Sequence, residues 1–391
     1  MLELDRRQRV TLTWAGVAVV LAGFQGSILI LALPAIAHDF HASIPALSGL
    51  GSILALGTLG ALPLSTLADR FGRRRLIAAG VTGFSLINFV SAFAPSLLGL
   101  AALRLVAVCF EVLVVGVVTA LIVEEAPAAS RGQAVSVLAL LSGVGTGITV
   151  VAYPFLAPHW RWLYYSCVVG LPVGPLIWWL LPEGKTWQSV RVARSAIRLL
   201  LEPRWRRRIV VLAATFGLLA VLLEPAGLLY TLYANTVLRW TPTEISILVV
   251  VSGVVGALSY LAGGYLTDRF GRRGPAIALT VATAAATSLS FGTASIGFFA
   301  GNVLWSGFSS AATPVFGAWS GELFPTRARA TAEAAIALAA ALGSIAGLVG
   351  VALLSGPAGL GGAIELGGVV AVAGALLLLF LPETRQQPLP E

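Results

Sequence analysis

Ala68-Asp69-Arg70-Phe71-Gly72-Arg73-Arg74 lies between two long apolar runs, and Thr267-Asp268-Arg269-Phe270-Gly271-Arg272-Arg273 repeats it 199 residues later. Two further signals keep nearly the same interval. Glu124-x-x-Pro127-x-x-x-Arg131 returns as Glu322-x-x-Pro325-x-x-x-Arg329 at an offset of 198, and Leu181-Pro182-Glu183 returns as Leu381-Pro382-Glu383 at 200. Three markers at one spacing predict two halves of like topology. Parallel repeats of this kind, related by an axis along the membrane normal, belong to transporters that rock two halves around a central site.

The chain between the markers is apolar enough to cross a membrane. Hydrophobic residues make up 58% of the 391 and charged residues only 11%, too few to cover a soluble domain of this size. Many apolar runs reach the ~20 residues needed to cross a hydrocarbon core, and the 43 glycines suit close helix packing in lipid. Twelve spans are predicted, at 11–37, 46–68, 76–95, 97–123, 131–157, 163–181, 208–235, 244–266, 275–297, 299–321, 330–355 and 361–381. The first run is long enough to be a span rather than a cleaved signal peptide. The predicted fold class is an all-α membrane protein, with twelve transmembrane helices in two pseudo-symmetric six-helix bundles. Residues 1–182 form the first bundle, 183–207 a cytoplasmic linker and 208–391 the second. Within the linker, residues 186–201 alternate Arg with Val, Ile and Leu at near-helical spacing. That pattern reads either as an amphipathic helix on the inner leaflet or as a basic tether.

The basic residues set the orientation. Of the 25 Lys and Arg, 22 fall in even-numbered links and at the termini; Arg161 and Arg239 fall in odd-numbered links, and Arg104 lies inside a span. The positive-inside rule then places both termini in the cytoplasm, on the inner face of the cytoplasmic membrane. The formal charge of +8 is split into short clusters between spans, with no single groove or arm, which argues against nucleic acid as a partner. Cys109 and Cys167 sit inside apolar runs and share no metal-ligand spacing with any His. With no phosphate loop, no zinc-spaced set and no nucleophile beside a buried His, neither an enzyme nor a cofactor or metal site is predicted.

These repeated loops resemble the signature that the major facilitator superfamily carries between spans 2 and 3, and the resemblance extends along essentially the whole chain. Glu124-x-x-Pro127-x-x-x-Arg131-Gly132, Glu322-Leu323-Phe324-Pro325-Thr326-x-x-Arg329 and Pro382-Glu383-Thr384 are similar to sugar-porter and metabolite-symporter patterns within it. Trp160-Arg161-Trp162 before span 6 is similar to a feature of many members. The resemblance implies the major facilitator fold, a cavity lined by spans 1, 4, 7 and 10, and alternating access. Departures are equally specific. Gly23-Phe24-Gln25 stands where related proton symporters carry an Asp in span 1, and Gln25 cannot titrate. Ala312-Thr313-Pro314-Val315 lacks the tryptophan that sugar porters place in span 10. Gly143-Val144-Gly145-Thr146-Gly147 lacks the proline that marks drug/proton antiporters in span 5. Ser65 replaces the usual Gly of the first-half signature, whereas the second half keeps Gly264.

Ionisable groups at hydrocarbon depth are costly and normally face a polar cavity or a partner. Arg104 and Glu111 lie seven apart in span 4, on one helix face. Glu224 lies near the middle of span 7, directly before Pro225, which loosens a helix. A carboxylate in low dielectric favours its neutral form and releases the proton when a cation or water arrives. Glu111 or Glu224 is therefore the predicted proton-coupling site in place of the missing Asp. The competing reading is a structural Arg104–Glu111 ion pair with Glu224 hydrogen-bonded in the wall. Arg104 offers a planar fork of donors, either to grip a solute or to act as counter-charge to Glu111. The predicted solute contacts are Gln25, Arg104, Glu224, Tyr230, Trp305 and Phe308, with plain packing as the alternative for the aromatics.

The loop motifs read as a cytoplasmic gate: Asp69 with Arg73, Asp268 with Arg272, and a second cluster of Glu124 with Arg131 and Glu322 with Arg329. Such pairs gate only if they form in one state and break in the other. The predicted activity is secondary transport of a small organic solute by a monomer in the lipid bilayer, as proton-coupled uptake. Proton-driven export of drug-like or cationic compounds and uncoupled facilitated diffusion are the alternatives.

Overall fold

The computed structural model describes residues 5–65, 72–125, 131–182, 200 and 202–385, and the chain is helical almost throughout them. The helices are α1 (Arg6–Asp39), α2 (Ile44–Ser65), α3 (Arg73–Ser91), α4 (Leu97–Glu125), α5 (Arg131–Leu156), α6 (Arg161–Leu180), α7 (Pro203–Thr236), α8 (Pro242–Phe270), α9 (Arg273–Phe291) and α10 (Ser295–Leu323). The run Thr326–Leu377 is helical on both sides of Gly359, whose φ of 72° breaks it into α11 (326–358) and α12 (360–377). Each of the twelve predicted spans falls on one of these helices, with ends shifted by a few residues. The α6 span is the least regular, tightening to a 3₁₀ turn over Ser166–Val169. Most of the predicted linker helix, 186–201, lies outside the described residues.

Local chemistry explains where helices begin. Asp5 caps α1, and Gln8 reaches back to the Asp5 N–H to complete a capping box. Thr241 and Glu244 do the same for α8, with Pro242 at its first position. The glycine of each repeated loop is required by its backbone. Gly72 (φ 85°) precedes α3 and Gly271 (φ 87°) precedes α9, a conformation that side chains resist. The two copies of the motif thus share a positive-φ glycine just before the next helix.

The chain separates into two compact units: Met1–Ala42 with Leu56–Arg191, and Ser43–Ala55 with Val192–Glu391. In the first, α1 packs on α5 and α4, while α3 packs on α4 and α6. Its apolar core includes Ala15, Val19, Val81, Phe84, Val114 and Val118. The contact of α1 with α5 is made through backbone. A Cβ on Gly145 would stand 2.0 Å from the Val20 carbonyl oxygen, and one on Gly23 would stand 2.1 Å from that of Ser142. Close approach through small residues is how helices associate where lipid removes the hydrophobic drive.

The second unit repeats this device. A Cβ on Gly343 would lie 1.9 Å from the Gly217 carbonyl, and one on Gly347 would lie 2.2 Å from that of Val221. Val221 is the carbonyl that Pro225, four residues on, cannot hydrogen-bond. So α11 closes over the point where α7 is loosened. Trp205, Val315, Trp319, Leu323 and Phe324 form its core toward one end. Outward, Ile296 (87% exposed), Phe155 (81%) and Trp179 (79%) stand bare. Large apolar side chains exposed along many helices match a lipid surround rather than water.

Candidate functional site

A polar cluster lies buried inside the first unit, built by three helices. From α1, Gln25 donates through Nε2 to Ser85 Oγ on α3 at 2.9 Å. Its Oε1 accepts from Asn88 Nδ2 at 3.0 Å. The same Asn88 amide donates to Glu111 Oε1 on α4 at 2.9 Å. Arg104, two turns before Glu111, reaches Glu111 Oε1 at 3.1 Å and Oε2 at 3.5 Å. Its Nη1 also donates to Asn88 Oδ1. Arg104 is 2% exposed and Glu111 8%, so the pair is a buried one. Breaking such a pair from one side costs ~3–5 kcal/mol, because the other charge is left without compensation.

The seven-residue spacing within α4 thus brings Arg104 and Glu111 together as the sequence indicates. Ser85 and Asn88 were missed. The available signal was Asn88 in the span part of α3, where its amide and the Thr82, Ser85 and Ser91 hydroxyls can both donate and accept. Gln25 is fully buried, held within the cluster by Ser85 and Asn88. α6 closes the cluster through Gly170, where a Cβ would stand 2.1 Å from Ser85 Oγ and 2.9 Å from Gln25 Nε2.

Glu224 is placed very differently. It is exposed in mid-helix on α7, and no hydrogen bond or ion pair reaches it from the described residues. Trp305 on α10 packs near Gly227, one turn further along α7, at 3.8 Å from the position of a Cβ there. Tyr230, another turn on, and Phe308 are partly buried. One face of the second unit therefore carries an accessible carboxylate with aromatic neighbours along the same two helices.

The loop residues group at the helix ends, with one change of partner. Arg272 binds Glu322 through both Nε (2.9 Å and 3.1 Å) and Nη2 (2.6 Å). Thr384 donates to the same carboxylate at 2.5 Å. The expected pairing of Glu322 with Arg329 is not made; Arg329 instead donates to the Gly321 carbonyl. Glu322 lies at the end of α10 and Arg329 in the first turn of α11, and the extended Phe324 and Pro325 between them turn the chain so that Glu322 meets Arg272 instead. Glu383 accepts backbone N–H bonds from Arg272, Arg273, Thr384 and Arg385 at 2.9–3.1 Å. Burial pushes its carboxyl up, but these four donors hold it below the usual glutamate range.

In the first unit, Asp69 lies outside the described residues, and the side chains of Glu124 and Arg131 are likewise outside them, as is that of Asp268 in the second. Arg73 opens α3 and is partly buried. The described pair at this end is Arg7 with Glu125, at 3.5 Å, beside a bond from Gln8 to the Glu125 carbonyl at 2.9 Å. At the opposite end, Trp160 and Arg161 bind Asp39 at 3.1 Å and 2.5 Å. This gives the Trp-Arg-Trp motif its physical role: it ties the end of α1 to the start of α6. Burial raises the Asp39 carboxyl, yet these bonds hold it below its ordinary range.

The Major Facilitator Superfamily model matches residues 15–238 and again 226–391, together nearly the whole chain. The chain belongs to the Major Facilitator Superfamily. It is a multi-pass membrane protein of this transporter family, and its repeated halves are those of the superfamily fold. It is similar to a gallate transporter of Pseudomonas putida, at 29% identity over 182 residues, covering 46% of this chain and 40% of that one. It is also similar to puromycin resistance protein pur8 of Streptomyces alboniger, at 29% over 171 residues, covering 40% of this chain and 33% of that one. The aligned part thus spans well under half the length of either relative. A bacterial homologue of the human lysosomal transporter Spinster shares the fold at a TM-score of 0.80 and 16% identity, covering 96% of this chain and 97% of that one.

Proposed function

We propose that this superfamily member carries a small organic solute into the cell across the cytoplasmic membrane by alternating access, coupled to protons through Glu111. The observation that carries the proposal is the buried junction of Glu111, Arg104, Asn88 and Gln25. The span-1 position that bears an Asp in related symporters is Gln25 here, and Asn88 links that amide directly to the Glu111 carboxylate. A proton arriving on Glu111 cancels its attraction for Arg104 and frees a fork of donors. A proton leaving restores the pair. Two arrangements separated by one proton are the element that coupling requires. The gallate carrier transports a carboxylate, and a carboxylate is the solute class that a released Arg104 fork would grip bidentately.

Glu224 favours a second reading. An accessible carboxylate with no cation bound to it among the described residues, on a helix that meets Trp305 one turn further along, suits a lipophilic cation, and one relative is a resistance protein for puromycin. The two readings separate in proteoliposomes carrying a proton-sensitive dye, tested with aromatic carboxylates and with lipophilic cations. Glu111→Gln is expected to abolish solute-driven proton movement while keeping solute exchange, and Glu224→Gln to leave proton movement intact. Proton movement by the parent that survives Glu111→Gln and is lost in Glu224→Gln transfers the coupling to α7. Solute flux without protons in every form makes the protein a facilitator.

A further inference from the structure

A cavity of about 640 Å³ opens at the end of the second unit where α7 and α9 begin and α12 finishes, lined by Pro203, Arg204, Arg207, Arg208, Arg273 and the segment 379–382. Four arginines line it and, among the described residues, no carboxylate does. Their positions are fixed by neighbours. Arg204 and Arg208 flank the buried Trp205 ring at 4.8 Å and 4.9 Å, and Arg207 lies 6.0 Å from the Phe380 ring. Arg208 donates to the Leu323 carbonyl at 2.9 Å, and Arg273 to that of Leu379 at 2.6 Å. Each guanidinium carries five donors, so these bonds leave others for a ligand. The nearest acids in sequence are Glu202, exposed before Pro203, and Glu383, whose carboxylate is taken up by four backbone N–H groups.

Four like charges gathered around one cavity repel each other unless an anion joins them. The rim shows which anion. Leu379 and Phe380 are exposed beside the arginines, at the end of a span whose outer face is already apolar. A ligand that fills both parts has a phosphate head and hydrocarbon tails. Under the orientation proposed from the basic residues, this is the inner-leaflet side, where basic pockets between helices attract anionic lipid heads. We infer that the cavity is a binding site for the head of an anionic phospholipid, with its acyl chains descending along Phe380 and α12. Stacked arginines suit a phosphodiester because the fork presents two parallel donors to two oxygens.

The test uses the full chain, purified in neutral detergent and titrated with phosphatidylglycerol, phosphatidylcholine or inorganic phosphate, with bound lipid counted by native mass spectrometry. Phosphatidylglycerol is expected to bind ahead of phosphatidylcholine and to weaken as salt is raised. At ~1 kcal/mol per basic residue, each arginine removed should cost about fivefold in affinity, so Arg204→Gln with Arg207→Gln should cost roughly 25-fold. Arg204→Lys with Arg207→Lys keeps the charge and should lose far less, and Arg6→Gln with Arg9→Gln, in the other unit, should lose nothing. Equal retention of both lipids, or equal loss in the Arg6/Arg9 control, overturns the site. Inorganic phosphate displacing the lipid at matched concentration overturns the commitment to a lipid.

Discussion

In the first bundle α1 meets α5 with Gly145 against the Val20 carbonyl; in the second α7 meets α11 with Gly343 against the Gly217 carbonyl. The two contacts correspond residue for residue within one position of the repeat. The loop glycines correspond too, with φ of 85° and 87°. Side chains on this shared frame do not correspond. Matching helix bounds sets α1 against α7 at an offset of 197, and with 199 for α3 and 198 for α4, Gln25 falls on Leu222, Asn88 on Thr287, Arg104 on Asn302 and Glu111 on Ser309. Leu222 and Thr287 are fully buried and Asn302 nearly so, and Asn302 spends its amide on the Phe298 carbonyl of its own helix. One bundle therefore buries a compensated charge pair where the other is neutral. In the second bundle the mid-span carboxylate Glu224 is exposed instead. The two bundles thus share these close backbone contacts and loop glycines, and differ in their buried polar side chains.

Breaking the charge pair gives the largest expected effect on that contrast. Arg104→Leu or Glu111→Leu alone should cost ~3–5 kcal/mol in detergent unfolding, with the double Arg104→Leu/Glu111→Leu variant recovering much of the loss. Asn302→Leu should cost only ~1 kcal/mol, about one hydrogen bond. Comparable losses for Arg104→Leu and Asn302→Leu would erase the distinction between the bundles. Next, Gly145→Ala and Gly343→Ala should each lose ~1–3 kcal/mol by overpacking, and by similar amounts. Gly116→Ala and Gly350→Ala, with open space around both, serve as near-neutral controls. A large loss in one close-contact glycine and none in the other would show that the shared frame is not equally tight. The smallest effect concerns pH. Because the Glu383 carboxyl is held below its ordinary range when folded, its contribution is present at neutral pH and lost as pH falls through the depressed value. Partial exposure limits it to ~0.5 kcal/mol. Glu383→Gln should flatten that part of the acid limb of a thermal-stability profile, and an unchanged limb would mean that the carboxylate adds no pH-dependent stability.

Much of this was legible before any coordinates. Span positions follow from apolar run length, the repeat from its three markers, and the Arg104–Glu111 pair from a spacing of two turns within one helix. Relations inside a single helix carry their own geometry. Relations between helices do not. Asn88 joins α3 to α4 and Gln25 joins α1 to α3, links that no spacing encodes. The expected Glu322–Arg329 pair has the same origin: the loop motif carries no sign of the true partner of Glu322, Arg272, which lies 50 residues away. Asp39 was invisible for a related reason, since its partners Trp160 and Arg161 lie about 120 residues away.

That Arg104 and Glu111 share one helix has a consequence for how the protein is made. A lone arginine at the centre of a segment leaving the translocon costs ~2.5–3.5 kcal/mol. Here the counter-ion travels on the same segment, two turns behind, so α4 can partition into the bilayer as a self-neutralised rod before later spans exist. By mean hydropathy it is also the most apolar of the candidate spans, which offsets what remains of the penalty. α3, already synthesised, then supplies Asn88 from the side. The first bundle can thus bury its charges in the order in which the ribosome delivers them, without waiting for the second half of the chain.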